Sequence, residues 1–152
     1  MCLSSSITKD KLSFTARNNL NDAVGYKAVY VYNDKIYPQI YNECFGFELP
    51  KNRWIHDTQR IHIEYSDGGY YQSGFHICLT LSAAKEYLSR KKIDWRGTAN
   101  AIFKVKYKDI VQLGVTHHPR FKYPYAPIVV ARSMILKERI LLVNERGGRV
   151  CV

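Results

Sequence analysis

The amino-acid sequence predicts an α+β fold, with a mainly antiparallel sheet of about six or seven strands and one principal helix near residues 81–91. Several short segments alternate apolar and polar residues, which is the period of a half-buried strand. Turn signals separate most of these segments, and only one segment places apolar residues at helical spacing. The chain of 152 residues is long enough to bury one core, so we expect a single domain over 1–152.

The first part of the chain predicts a polar arm followed by a hairpin. Residues 1–24 are polar and weakly patterned, and we expect them to form an N-terminal arm. The segment from Tyr26 to Tyr32 alternates, Asn33-Asp34 supplies a turn, and Lys35-Ile36-Tyr37 completes the hairpin. Residues 60–65 alternate again and predict another strand.

The segment from Gly74 to Leu88 predicts a short strand that leads into a capped helix. Thr80 is suited to the N-cap, because its hydroxyl can accept a hydrogen bond from an amide of the first turn. Leu81, Ala84 and Leu88 follow at i, i+3 and i+7, which is the spacing of a buried helical face.

The last third predicts three more strands and a loop. Ala101 to Tyr107 alternates apolar residues with lysines, as a strand with one solvent-facing side does. Residues 116–127 contain three prolines and predict a long loop. The apolar runs at 128–131 and 140–143 predict two further strands.

Positive charge is concentrated towards the end of the chain. The formal net charge is +10, from 23 basic and 13 acidic residues, and residues 101–152 hold ten of the basic and three of the acidic ones. Lys104, Lys106 and Lys108 alternate along the predicted strand and therefore share one face. Such a field attracts phosphates, nucleic acid or acidic protein surfaces. A solvated basic face is the alternative explanation.

The composition argues against membrane and metal chemistry. No apolar run approaches the roughly 20 residues of a membrane-spanning helix, and the polar start of the chain has no leader-like core, so we expect a cytoplasmic protein. The four cysteines are far apart and form no C-x-x-C pair. His56 lies beside Asp57, but no third ligand has suitable spacing. We predict no metal and no cofactor.

A candidate ligand site lies at the strand-to-helix corner. Gly74 permits close backbone approach, and free amides at a helix start favour an anion. His76 is placed to donate to a ribose or phosphate, Thr80 to position the ligand, and Tyr87 to stack on a ring. The alternative is a half-buried histidine and a core tyrosine.

A second set of candidate ligand-binding residues lies in the predicted loop. Two histidines, two basic residues and three aromatic residues are interleaved within residues 116–125, as in surfaces that stack bases and neutralise phosphates. Packing of the aromatics on the sheet is the alternative. The residues are His117, His118, Arg120, Lys122 and Tyr123.

Cys2 is a candidate catalytic nucleophile. Removal of Met1 would join its thiol to a free α-amine, which is the pair that N-terminal nucleophile hydrolases use. The alternative is an inert second residue on the arm.

Two resemblances add to this interpretation. The pattern Gly74-Phe75-His76, Thr80, Ala84, Tyr87 resembles a segment of ADP-ribosyltransferase-like folds, which implies a split-sheet cleft for a nicotinamide- or ADP-ribose-type ligand. No glutamate stands plainly at the transferase position, so a ligand-sequestering protein fits this resemblance as well as an enzyme does.

The second resemblance is broader and covers most of the chain. Met1-Cys2-Leu3, the strand that begins at Tyr26, the Gly74-Phe75-His76 turn and Tyr125-Ala126-Pro127 occur in the same order as in small accessory proteins of tailed phages. The resemblance implies a viral accessory protein in the host cell, one that counters host defence.

Three functions follow from these features. The first is binding of an anionic, nucleotide-like ligand in a cleft between the corner and the loop. The second is a basic interaction protein that binds nucleic acid or an acidic host protein surface. The third is a hydrolase that uses Cys2. The sequence does not decide the oligomeric state.

Overall fold

The computed structural model describes residues 3–38, 48–58, 62–64, 69–89, 98–116, 126–143 and 149–150. It confirms the α+β class and the mainly antiparallel sheet. The helices in these ranges are α1 (Phe14–Asn21) and α2 (Leu81–Ser89), with a 3-10 turn at Lys9–Lys11. The strands are β1 (Ser5–Ser6), β2 (Val24–Tyr32), β3 (Lys35–Pro38), β4 (Trp54–His56), β5 (His62–Glu64), β6 (Tyr70–Gln72), β7 (Phe75–Cys78), β8 (Thr98–Thr116), β9 (Ala126–Val143) and β10 (Arg149–Val150).

Two long strands, β8 and β9, form the centre of the sheet. They pair with each other from Asn100↔Val143 to Thr116↔Ala126. The strand predicted at 101–107 is part of β8, and the two strands predicted at 128–131 and 140–143 are parts of β9. The two predicted strands are continuous because the polar residues between them stay in the ladder opposite β8.

Four strands close the main sheet into a ring of pairings. β2 pairs with β8, β7 pairs with β9, and β2 meets β7 at the single pair Tyr26↔Cys78. We call this β2–β7 junction the seam. Closure needs strong curvature, and the β8–β9 ladder has three register shifts that supply it, because bulges bend and twist a strand.

The two faces of the curved sheet carry two separate hydrophobic clusters. One cluster fills the concave side with alternate residues of β8, including Phe103, Val105 and Tyr107, and is capped by Ala16 of α1. The other lies on the opposite face and packs Ile102 and Val130 against α2. The strand period of two therefore separates the faces, and α2 covers part of the outer face.

The predicted hairpin is confirmed. β2 and β3 pair from Val29↔Pro38 to Tyr32↔Lys35, and the turn residues Asn33 and Asp34 have φ values of 48° and 61°. Two successive residues with positive φ match the twist of the flanking strands, and Asn and Asp tolerate this conformation better than most residues.

The N-terminal segment contains more structure than a polar arm. Residues 5–6 pair with β8, and α1 begins after Ser13, whose side chain accepts a hydrogen bond from the Ala16 amide at 3.3 Å. Leu3, Leu12 and Ala16 are buried. α1 was missed because Phe14, its largest apolar residue, is 80% exposed and the helix is otherwise mostly polar.

Candidate functional site

The Gly74–Leu88 corner has the predicted local structure. β7 leads into α2, and the Thr80 hydroxyl accepts a hydrogen bond from the Ala83 amide at 3.2 Å, which confirms the N-cap. Gly74 packs against β9, since a Cβ there would meet the Ala131 carbonyl oxygen at 2.8 Å. The small residue is needed for contact within the sheet.

The predicted ligand groups of the corner are buried or partly buried. His76 is 3% exposed, and Tyr87 is half-buried against the cluster beneath α2. The Thr80 hydroxyl is engaged by α2 itself. The expectation that His76 lines an open cleft is therefore not met, because its imidazole faces the protein interior.

His76 instead belongs to a buried polar network at the seam. Its Nε2 shares a hydrogen bond with the Tyr71 hydroxyl at 2.8 Å, and that hydroxyl also accepts a hydrogen bond from the Leu3 amide at 3.1 Å. The Lys27 ammonium, on a side chain 3% exposed, donates to the His76 carbonyl at 3.1 Å. Lys27 thus contacts β7 next to the point where the seam ladder ends at Tyr26↔Cys78.

Burial controls the protonation of this network. Desolvation, with the nearby Lys27 charge, lowers the pKa of His76 to about 3, so the imidazole is neutral at physiological pH. Burial raises the pKa of the Cys78 thiol to about 12, so Cys78 is an inert free thiol. The described contacts give this network the character of a structural anchor for Leu3.

The remaining predicted site residues lie outside the described ranges. They are Cys2 in the arm and His117, His118, Arg120, Lys122 and Tyr123 in the loop.

A basic stripe runs along β8, as the sequence predicts. Lys104, Lys106 and Lys108 are exposed, whereas Val105 and Tyr107 between them are buried. The stripe lies on the outer face, which is also the face of Ile102 in the α2 cluster. Two acidic residues lie near the stripe. Asp109 follows Lys108 in the sequence, and Glu138 is paired with Lys104 in the β8–β9 ladder.

An aromatic residue lies beside this stripe. β4 pairs with β9 on the side away from β8, which places Trp54 opposite Ile135, and Ile135 opposite Lys106. Directly paired residues point to the same face of a sheet. Trp54 is 41% exposed, and the Lys108 ammonium lies 4.5 Å from the centre of its ring, within cation–π range.

Trp54 also lines an open groove of about 460 Å³. The groove contains both signs of charge next to an aromatic surface, and the Lys35 ammonium lies 3.5 Å from the Glu48 carboxylate. Its lining residues are Glu48, Pro50, Arg53, Trp54, Ile55 and His56.

A short relay fixes the orientation of His56. Its Nδ1 lies 2.8 Å from the Ser133 hydroxyl, which donates to the Asp109 carboxylate at 3.1 Å. Because the Ser133 proton is used by Asp109, Nδ1 of His56 carries the proton that it donates to Ser133. The order differs from a serine-hydrolase triad, in which histidine lies between serine and the carboxylate. His56 also lines the groove, and Nε2 is its ring nitrogen outside the contact with Ser133.

Comparison of the chain with protein-family models, with curated proteins and with solved structures gives no match. No helix within the described ranges is long and apolar enough to cross a membrane. In the same parts of the chain, no three histidine, cysteine or acidic residues are grouped to hold a metal.

Sequence reasoning missed most of this groove. Trp54 and His56 alternate with the buried Ile55, as residues of a half-buried strand do. β4 is only three residues long, which is too short for this alternation to predict a strand. The relay joins His56 to a serine 77 residues away, so no local pattern reveals it.

Proposed function

We propose that the protein binds single-stranded nucleic acid on its outer face, with phosphates on the lysine stripe and a base on Trp54. The observation that carries the proposal is the Lys108 ammonium at 4.5 Å from the ring centre of the exposed Trp54. This develops the second of the functions expected from the sequence. The nucleotide cleft is not favoured, because His76, one of its predicted ligand groups, is buried.

The spacing of the stripe suits a polymer better than a mononucleotide. Alternate residues of a strand are about 7 Å apart, so Lys104 and Lys108 are separated by roughly 14 Å. Three ammonium groups in a row match a repeating anionic backbone. An adjacent aromatic ring stacks on a base only when that base is unpaired, which favours single strands over a duplex.

The first experiment measures binding of labelled single-stranded RNA, single-stranded DNA and duplex by fluorescence anisotropy over a range of salt concentrations. Each phosphate contact contributes about 0.7 to the slope of log affinity against log salt for single strands. Lys106→Gln and Lys108→Gln should each lower the slope by about that amount. The matched control is Lys85→Gln, an exposed lysine on α2, which should leave the slope unchanged.

Trp54→Ala tests the aromatic contact. Loss of one stacked base costs about 1–3 kcal/mol, so affinity for single strands should fall roughly 5- to 150-fold. Tyr70→Ala, which removes an aromatic ring that is 68% exposed elsewhere, is the control. Absence of single-strand binding refutes the proposal, and binding of polyglutamate in its place would favour an acidic protein partner. The phage resemblance implies a role against host defence, which stays a prediction.

A second candidate function is hydrolysis by Cys2. The Leu3 amide nitrogen, which is bonded to Cys2, donates to Tyr71, and Tyr71 contacts His76. The chain next to the proposed nucleophile is therefore held beside hydrogen-bonding groups. Intact mass tests whether Met1 is removed, and retained Met1 ends this candidate. Iodoacetamide should label Cys2 faster in the folded protein than in urea, because an activated thiol needs the folded site.

A further inference from the structure

The groove beside Trp54 contains the groups required for acid–base cleavage of RNA. Glu48 supplies a carboxylate, His56 an imidazole and Arg53 a guanidinium, and all three line the same groove. We propose that this groove is an endoribonuclease site that cleaves RNA held on the basic stripe. This inference rests on the proposed nucleic-acid binding and adds a reaction to it.

Glu48 and His56 have complementary roles. A carboxylate accepts a proton, and an imidazolium donates one, so the pair can act as general base and general acid across one phosphodiester. Arg53 is the phosphate-binding group, since its guanidinium forms paired hydrogen bonds with phosphate oxygens and stabilises the charge that develops there. Trp54 holds the adjacent base by stacking.

The Ser133–Asp109 relay positions His56 for this task. Nδ1–H donates to the Ser133 hydroxyl, and Ser133 donates to the Asp109 carboxylate. The relay fixes the ring orientation. The Asp109 carboxylate also polarises the Ser133 hydroxyl, which then stabilises the imidazolium, as carboxylates do behind catalytic histidines. Ser133 is 2% exposed, so it is a positioning residue and does not contact the substrate.

The reaction is internally balanced. Glu48 takes the proton of the ribose 2′-hydroxyl, and the 2′ oxygen forms a bond to the neighbouring phosphorus. The bond from phosphorus to the 5′ oxygen breaks, and the His56 imidazolium gives its proton to that oxygen. The products are a 2′,3′-cyclic phosphate and a 5′-hydroxyl end. Both side chains return to their starting protonation by exchange with water, and no other reactant is consumed.

The chemistry restricts the substrate to single-stranded RNA. DNA lacks the 2′-hydroxyl that acts as nucleophile, so it should bind and remain intact. A duplex holds its phosphate away from the in-line arrangement and keeps its bases stacked, so it should be cut poorly. The reaction uses no metal ion, and a chelator should not affect it.

The test incubates the full-length protein with 5′-labelled single-stranded RNA in the presence of EDTA. Products are identified by mass as 2′,3′-cyclic phosphates. An oligonucleotide with a 2′-deoxyribose at the cut position should resist cleavage there. His56→Gln and Glu48→Gln should each lower the rate by about 10²-fold or more, because each removes one proton-transfer group. Lys85→Gln is the control with unchanged rate and binding.

A positioning role of Ser133 and Asp109 is tested by the pH dependence of kcat/KM, which a purely structural role would not change. Ser133→Ala and Asp109→Asn should change the dependence of kcat/KM on pH, because both substitutions break the hydrogen-bonded relay to the His56 ring. Ser133→Thr, which keeps the hydroxyl, should restore the wild-type profile.

Three outcomes separate the proposals. If RNA binds but stays intact at stoichiometric protein, the cleavage inference is overturned and nucleic-acid binding stands. If cleavage persists undiminished in His56→Gln and Glu48→Gln, the activity belongs to another site or a contaminant, and the assignment fails. If RNA does not bind at all, the proposed function itself fails.

Discussion

Tyr71→Phe tests the buried network at the seam most directly. The substitution removes one oxygen, which accepts from the Leu3 amide at 3.1 Å and shares a hydrogen bond with His76 at 2.8 Å. Leu3 and His76 are 0% and 3% exposed, so water does not replace the lost partner easily. A buried polar group left unsatisfied costs about 1–3 kcal/mol. Two such groups, the Leu3 amide and His76 Nε2, lose their partner, so we expect the free energy of unfolding to fall by roughly 2–6 kcal/mol.

The assay is urea unfolding followed by circular dichroism, with the free energy of unfolding extrapolated to water. Tyr70→Phe is a matched control one residue away, because Tyr70 is 68% exposed. The control should change stability by less than about 0.5 kcal/mol. Hydrogen exchange at the Ser4 amide, which donates to the Val115 carbonyl, should also accelerate in Tyr71→Phe. Equal and small effects of the two substitutions would refute the anchoring role.

Three further predictions concern the same region of the protein. The pKa of His76 is lowered from 6.5 to about 3, so between these pH values the unfolded chain binds a proton that the folded chain does not. The free energy of unfolding should therefore fall as the pH drops below about 6.5. At 1.36 kcal/mol per pKa unit, the loss between pH 7 and pH 5 is about 2 kcal/mol. Urea titrations at both pH values measure it, and His76→Gln should abolish this loss. Thr80→Ala should cost about 1 kcal/mol by removing the α2 cap, whereas Ser82→Ala, at an exposed position, should cost little; thermal denaturation compares them. Gly25→Ala would place a Cβ 2.8 Å from the Cys78 carbonyl oxygen and should destabilise the seam by about 1–3 kcal/mol, and a wild-type unfolding midpoint would contradict this.

Local patterns were sufficient for much of the fold. Asn33-Asp34 identified the hairpin because two positive-φ residues are needed there, and Thr80 identified the helix start because its hydroxyl caps the first turn. The lysine alternation identified the exposed face of β8 because the strand period is two. In each case the physical cause lies within a few residues of the pattern.

The candidate site depended on contacts that are distant in the sequence. His76 has the same local pattern whether it faces a cleft or a core, and its burial is decided by Leu3, Lys27 and Tyr71. The groove exists because β4 adds to the edge of β9, which follows it by about 70 residues in the chain. Neither arrangement can be predicted from a local pattern, and the alternation in β4 covers only three residues.

The closed ring of strands has a consequence for the order of folding. Nine residues separate β8 from β9 in the chain, so the two strands form a hairpin across a small sequence separation, whereas β2 must find β8 across more than sixty residues. Long loops cost more entropy to close, so the hairpin is expected to form early and the seam last. Substitutions at the seam, such as Gly25→Ala, should therefore accelerate unfolding more than they slow folding. The rate at which the seam opens then sets the lifetime of the native state.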